Sequence, residues 1–76
     1  MKLEDFIKNF ADQFEDTDPC QIHSDTVFKD IEEWSSLTAL SILAMIVEEY
    51  EVALRGDDIE KAETVEDLFN IVKSKI

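Results

Sequence analysis

The run from Trp34 to Tyr50, WSSLTALSILAMIVEEY, limits this chain more than any other stretch. It opens on two hydroxyls, Ser35 and Ser36, both good helix N-caps. A long apolar run follows, and acids close it. At the helical period, Ala39, Ile42, Leu43, Ile46 and Tyr50 form one apolar stripe, and Leu37, Leu40, Ala44 and Val47 form a second beside it. Together the stripes cover roughly 220° of the helix, against the ~100° that core contact demands. Thr38, Ser41, Glu48 and Glu49 make up the polar remainder. A chain of 76 residues offers little core in which to bury both stripes. A helix over about residues 36–51 is therefore expected, with the first stripe in the core. The second is expected as a docking face with a serine at its top.

The flanking segments read as partners for that helix. Leu3, Phe6, Ile7, Phe10 and Phe14 keep helical spacing, so residues 2–14 are expected as an amphipathic helix with an aromatic core stripe. Pro19 disfavours the α region at Asp18, so the first helix ends ahead of it. Residues 15–35 form a connection longer than compact domains usually tolerate without a function or a pin. Ile22, Val27, Phe28, Ile31 and Trp34 are the expected pins, with a helical turn between Ile31 and Trp34. After the central helix, Val52 and Leu54 alternate with Ala53 and Arg55, an extended step back to the core. Gly56 marks a turn. Asp57 then caps a short third helix with Glu60 three residues on, and Thr64 opens the last helix with Asp67 in the same role. The last apolar stripe is Val65, Leu68, Phe69, Val72 and Ile76, with Lys73 and Lys75 at the end where cations complement the helix dipole. The expected fold is all-α: one domain over residues 1–76, three longer helices and one short helix in a small bundle.

Nineteen acids against seven bases leave a net charge of −12. Phosphates are repelled by such a surface, which excludes a nucleic-acid backbone as the natural partner. Proteins with basic patches are attracted to it. Cys20 is the only cysteine, so no internal disulfide forms, as suits a reducing compartment. No signal-peptide pattern opens the chain, and no apolar run reaches the ~18 residues of a membrane span. A cytoplasmic protein is expected.

Catalysis has little to work with. A nucleophile needs an activating base and an oxyanion site. Ser36 has no histidine or lysine arrayed beside it, and the lone His23 lies in another segment and reads as a surface residue. Asp16, Asp18 and Cys20 begin like a calcium loop, but the third ligand is wrong and Gln21 stands where that loop needs glycine. No metal site and no catalytic residues are assigned. A serine at the start of a docking helix remains, near the positive end of the dipole, where an added phosphate is favoured. Ser35 and Ser36 serving only as caps is the plainer alternative.

The whole chain resembles an acyl carrier protein. That family runs long helix, long loop, Asp-Ser-Leu, acidic second helix, short third helix and final helix. Here Ser36-Leu37 falls where the family has Ser-Leu, with Trp34 two residues before the serine. Glu48-Glu49-Tyr50-Glu51-Val52 is similar to the family's Glu-Glu-aromatic-x-Val. Glu63-Thr64-Val65-Glu66-Asp67-Leu68 resembles its Thr-Val-x-Asp-Leu. The match spans nearly all of the chain and is most specific over residues 31–76. One departure stands out: Ser35 replaces the family's aspartate. Serine still caps a helix, but a carboxylate able to pair with a basic residue of a modifying enzyme is lost.

The resemblance implies a stand-alone carrier and not an enzyme. A phosphopantetheinyl transferase would attach 4′-phosphopantetheine from coenzyme A to Ser36, chosen over Ser35 because the family's serine directly precedes the leucine. Acyl or aminoacyl groups would ride on the arm as thioesters, in fatty acid synthesis, a polyketide-like pathway or amino-acid loading. Leu37, Leu40, Ala44 and Val47 would meet partner enzymes through apolar contact, and Glu48 would meet their basic docking patches. Leu43 and Ile46 would shelter an acyl chain, and the protein would be a monomer. The alternative is an unmodified acidic interaction module of the same fold.

Overall fold

Phe6 and Phe10 lie one helical turn apart and are both fully buried, which fixes the inward face of the first helix. The structure is a computed structural model and describes residues 2–76. Four helices are present among them: α1 (Leu3–Ala11), α2 (Ser36–Tyr50), α3 (Gly56–Lys61) and α4 (Val65–Ser74). The fold is a small all-α bundle, with α1 packed on α2 and α4, and α3 on α4. Phe6 meets Phe69 of α4 edge-on at 5.6 Å and Tyr50 of α2 at 5.7 Å. Phe10 meets Phe28 of the long connection, also edge-on, at 5.6 Å. Such pairs add about 0.5–1.5 kcal/mol each beyond the area they bury. Asn9 Nδ2 donates to the Tyr50 hydroxyl at 2.9 Å and ties α1 to the end of α2.

α1 ends three residues earlier than its apolar spacing predicts. The last turn tightens: the amides of Gln13 and Phe14 donate to the carbonyls three residues back, at Phe10 and Ala11. Phe14 therefore stays in the core although the α-helix stops at Ala11. The next amides, of Glu15, Asp16 and Thr17, are committed to the carboxylate of Glu33 and cannot continue the ladder.

The long connection is held by short 3₁₀ turns at Pro19–Gln21 and Phe28–Asp30 and by buried Ile22 and Phe28. A turn also forms where Ile31 and Trp34 predict one, with Trp34 N–H donating to the Ile31 carbonyl at 2.9 Å. Val27 differs from its expected role. It is 41% exposed and is pinned through its backbone, which bridges to Thr64. The same segment completes the start of α4. The carbonyls of Thr26 and Ser24 accept from Val65 and Glu66 N–H, and Thr64 Oγ1 accepts from Asp67 N–H at 3.1 Å. Three amides that a helix start leaves without intrahelical partners are thereby satisfied. Asp67 returns the bond by accepting from Thr64 N–H at 3.1 Å, the reciprocal cap read from Thr64 and Asp67.

α3 starts earlier than expected. Its N-cap is Arg55, not Asp57, and the returning carboxylate is Asp58, which accepts from Arg55 N–H at 3.0 Å. Gly56 is the first residue of that helix and not a turn. The left-handed residue instead is Glu51, with φ 56°, which ends α2. Val52 is buried and Leu54 half-buried, as the alternation predicts. On α4, Val65, Leu68, Phe69 and Val72 are buried, but Ile76 lies beyond the end of the helix and is 71% exposed.

Candidate functional site

On α2 the two stripes separate. Ile42 and Ile46 are fully buried, while Ala39, Leu43 and Tyr50 are half-buried against the core. Leu37 and Leu40 are 73% and 62% exposed, and Val47 is 49% exposed. Ala44 and Glu48 are exposed on the same side. Two residues of α2 lie differently from the sequence reading. Met45, in neither stripe, is buried, and Thr38, counted with the polar remainder, is buried too.

Thr38 turns inward because its hydroxyl has a partner there. Its Oγ1 donates to the Glu33 carbonyl at 3.1 Å. Its N–H donates to Ser35 Oγ at 3.3 Å, which makes Ser35 the N-cap of α2. The two hydroxyls lie 3.2 Å apart. Thr38 has a single hydroxyl proton and uses it on Glu33, so Ser35 is the donor between them. An ionised aspartate at position 35 only accepts, and could not make the bond that Ser35 donates to Thr38 Oγ1.

Ser36 is the first residue of α2 and is exposed. The hydrogen bonds that organise this turn go to Ser35 and Thr38 and leave the Ser36 hydroxyl outside them. The amides of Thr38 and Ala39 are taken by Ser35, while those of Ser36 and Leu37 meet no protein acceptor among the described residues. Unpaired amides at the positive end of the dipole favour a phosphate on Ser36.

Trp34 fixes the approach to this turn. Its ring packs on Phe28 at 4.8 Å and stacks on Phe14 at 6.4 Å. Beside it runs an open groove of about 610 Å³, walled by Trp34, Ser36, Ala39, Leu40 and Leu43 on one side and by Gly56, Ile59 and Glu60 of α3 on the other. Lys29 closes one end. Its ammonium lies 5.9 Å from the Phe28 ring centre and donates to the Glu60 carbonyl at 2.6 Å, near the end of α3. His23 is exposed and does not line this groove. Ile46 lies fully buried below it and is not part of its wall.

Two features of the site escape sequence reasoning. One is the second wall of the groove: α3 begins twenty residues after Ser36 in the chain, and only Ile59, an apolar residue among acids, hints at it. Glu33 is the other. Its carboxylate accepts from the amides of Glu15 (2.7 Å), Asp16 (3.0 Å) and Thr17 (2.8 Å) and from the Thr17 hydroxyl (2.8 Å). These donors, the Glu15 amide foremost, hold the carboxyl below its ordinary value against a smaller opposing effect of burial. Nothing in the pair Glu32-Glu33 tells which of the two is held.

Among the described residues no three His, Cys, Asp or Glu side chains converge as metal ligands, and no helix is long and apolar enough to cross a membrane. No protein-family model, curated protein or solved structure matches the chain.

Proposed function

We propose that this chain is an acyl carrier protein whose Ser36 takes a 4′-phosphopantetheine arm. The observation that carries the reading is one of placement: an exposed serine opens a helix that displays exposed Leu37, Leu40, Ala44 and Val47 while its other face is buried. The motifs around Ser36-Leu37, Glu48-Glu49-Tyr50 and Thr64-Val65 support it from the sequence. Bound to Ser36, the arm supplies a terminal thiol on which acyl or aminoacyl groups ride as thioesters. Ser36 Oγ forms the new bond to phosphorus, its proton passes to the transferase, and the nucleotide portion of coenzyme A leaves. The free amides of Ser36 and Leu37 favour the phosphodiester. The groove between α2 and α3 gives a bound acyl group apolar contact at Leu40, Leu43 and Ile59.

The carrier catalyses nothing itself. It works as a monomer in the cytoplasm, and partner enzymes dock basic patches against Glu48 and the acidic surface around the apolar stripe. Intact mass after co-expression with a broad-specificity phosphopantetheinyl transferase tests the reading. One added phosphopantetheinyl group, absent in Ser36→Ala, is the expected result. An unchanged mass, with a control carrier loaded in parallel, would leave the unmodified interaction module as the function.

A further inference from the structure

Three consecutive amides, from Glu15 to Thr17, converge on one carboxylate, and the carbonyl of the same residue receives the Thr38 hydroxyl. Such backbone nests ordinarily gather anions. Here the anion is internal, and bonds to a charged acceptor are the strong ones. Glu33 is thereby tied at its side chain to the loop after α1 and at its backbone to the first turn of α2. Its neighbour Glu32 is exposed and makes none of these bonds, so charge alone is not what the position supplies. Ser36 follows three residues later as the first residue of the helix, and the torsions of residues 33–35 set where its hydroxyl stands.

We propose that Glu33 is the positioning residue for Ser36, holding the start of α2 so that Ser36 Oγ is presented in one place to the transferase. This rests on the carrier reading above. The molecule contains its own control. Asp67 makes the same kind of bond at the start of α4, accepting from Glu63 and Thr64 N–H at 3.2 and 3.1 Å, and does not line the Ser36 groove. Loss of either clasp loosens a helix start, but only one of them carries the serine.

Loading kinetics with phosphopantetheinyl transferase and coenzyme A test this on the wild type, Glu33→Gln and Asp67→Asn. In Glu33→Gln an amide donor faces the Glu15 N–H that Oε2 accepted, while the apolar core is untouched. In this variant kcat is expected to fall about tenfold, because a misplaced nucleophile loses effective molarity. KM should stay within about twofold, because the docking stripe is unaltered. Amide hydrogen exchange at Thr38 and Ala39 should quicken in Glu33→Gln and not in Asp67→Asn, whose kcat should match the wild type. Thr17→Val, which deletes only the hydroxyl bond to Glu33, keeps the test open should Glu33→Gln unfold. It should lower kcat in part with KM unchanged. Wild-type kcat in Glu33→Gln, or equal slowing in Glu33→Gln and Asp67→Asn, overturns the positioning role and leaves the carrier reading standing. A wild type that takes no arm, beside a control carrier that does, removes the carrier reading first and the positioning role with it.

Discussion

Glu33 takes both donors of Thr17 on one atom: the backbone N–H and the hydroxyl each reach Oε1 at 2.8 Å. The bonds are strongest to the ionised carboxylate, so the clasp has a pH signature. The folded-state pKa of Glu33 lies below its ordinary value of 4.5. A depressed carboxylate contributes stability that is present above the unfolded pKa and lost as pH falls through the folded one. Thermal melts of wild type and Glu33→Gln should differ at pH 7 and converge as pH drops below about 4.5, the ordinary value for this carboxyl. A gap of constant size down to pH 3 would show that the charge on Glu33 is not what the clasp uses.

The two serines should separate stability from loading. Ser35 caps α2, so Ser35→Ala should cost ~0.5–2 kcal/mol of folding stability and still reach the fully loaded mass at the end point, because the Ser36 hydroxyl remains. Ser36 caps nothing, so Ser36→Ala should barely move the melting temperature and should abolish loading. Mass spectrometry and a melt on each variant decide it. A mass shift that survives Ser36→Ala and vanishes in Ser35→Ala reverses the assignment.

The two stripes of α2 should respond oppositely. Ile46 is fully buried and Leu37 is 73% exposed. Ile46→Ala should cost ~2–5 kcal/mol, as buried large-to-small changes do. Leu37→Ala should leave stability nearly unchanged and weaken binding to a partner enzyme. Denaturant melts and a binding titration check both, and equal losses of stability would remove the distinction between the faces.

Glu51 and Gly56 stand in each other's natural places. Glu51 ends α2 in the left-handed region, at φ 56°, where glycine is the least strained residue. The only glycine has no positive φ, and a Cβ on it would meet nothing within 4 Å. Glu51→Gly should stabilise by about 0.5–1 kcal/mol, since relief of the strain, and of an acid at the negative end of α2, exceeds the added freedom of the unfolded chain. Gly56→Ala should stabilise by ~0.4–1 kcal/mol through the unfolded state. Calorimetry of the two single variants and the double tests both. A loss of stability in Glu51→Gly would mean that its side chain, not its backbone, holds the turn.

Charge sets the response to salt. Residues 1–35 hold ten acids and three bases, net −7, and residues 36–76 hold nine acids and four bases, net −5. Folding concentrates this charge, and its repulsion opposes the compact state. Salt shortens the reach of the repulsion to about 10 Å at 0.1 M. The melting temperature should therefore rise with added salt or millimolar divalent cation, while binding to a basic partner weakens. A melting temperature that falls with moderate salt would mean specific ion pairs outweigh the net repulsion.

The helices, the cap at Thr64 and Asp67, and the division of α2 into a buried and an exposed stripe are legible in the sequence. Each depends on residues within a turn or two of one another, where spacing stands in for geometry. Thr38, Met45 and Glu33 are not legible in the same way. Thr38 reads as polar and is buried because the Glu33 carbonyl waits for its proton. The role of Glu33 depends on amides 16–18 residues earlier in the chain. The groove beside Ser36 likewise joins α2 to α3. Local pattern determined which segments are helical and which faces are apolar. Only the packing of Trp34 on Phe14 and Phe28, which brings the loop after α1 beside the start of α2, decided which of two adjacent glutamates became a clasp. Hydrogen bonds between segments distant in the chain leave no periodic trace in sequence, because they depend on where two backbones meet and not on residue type alone.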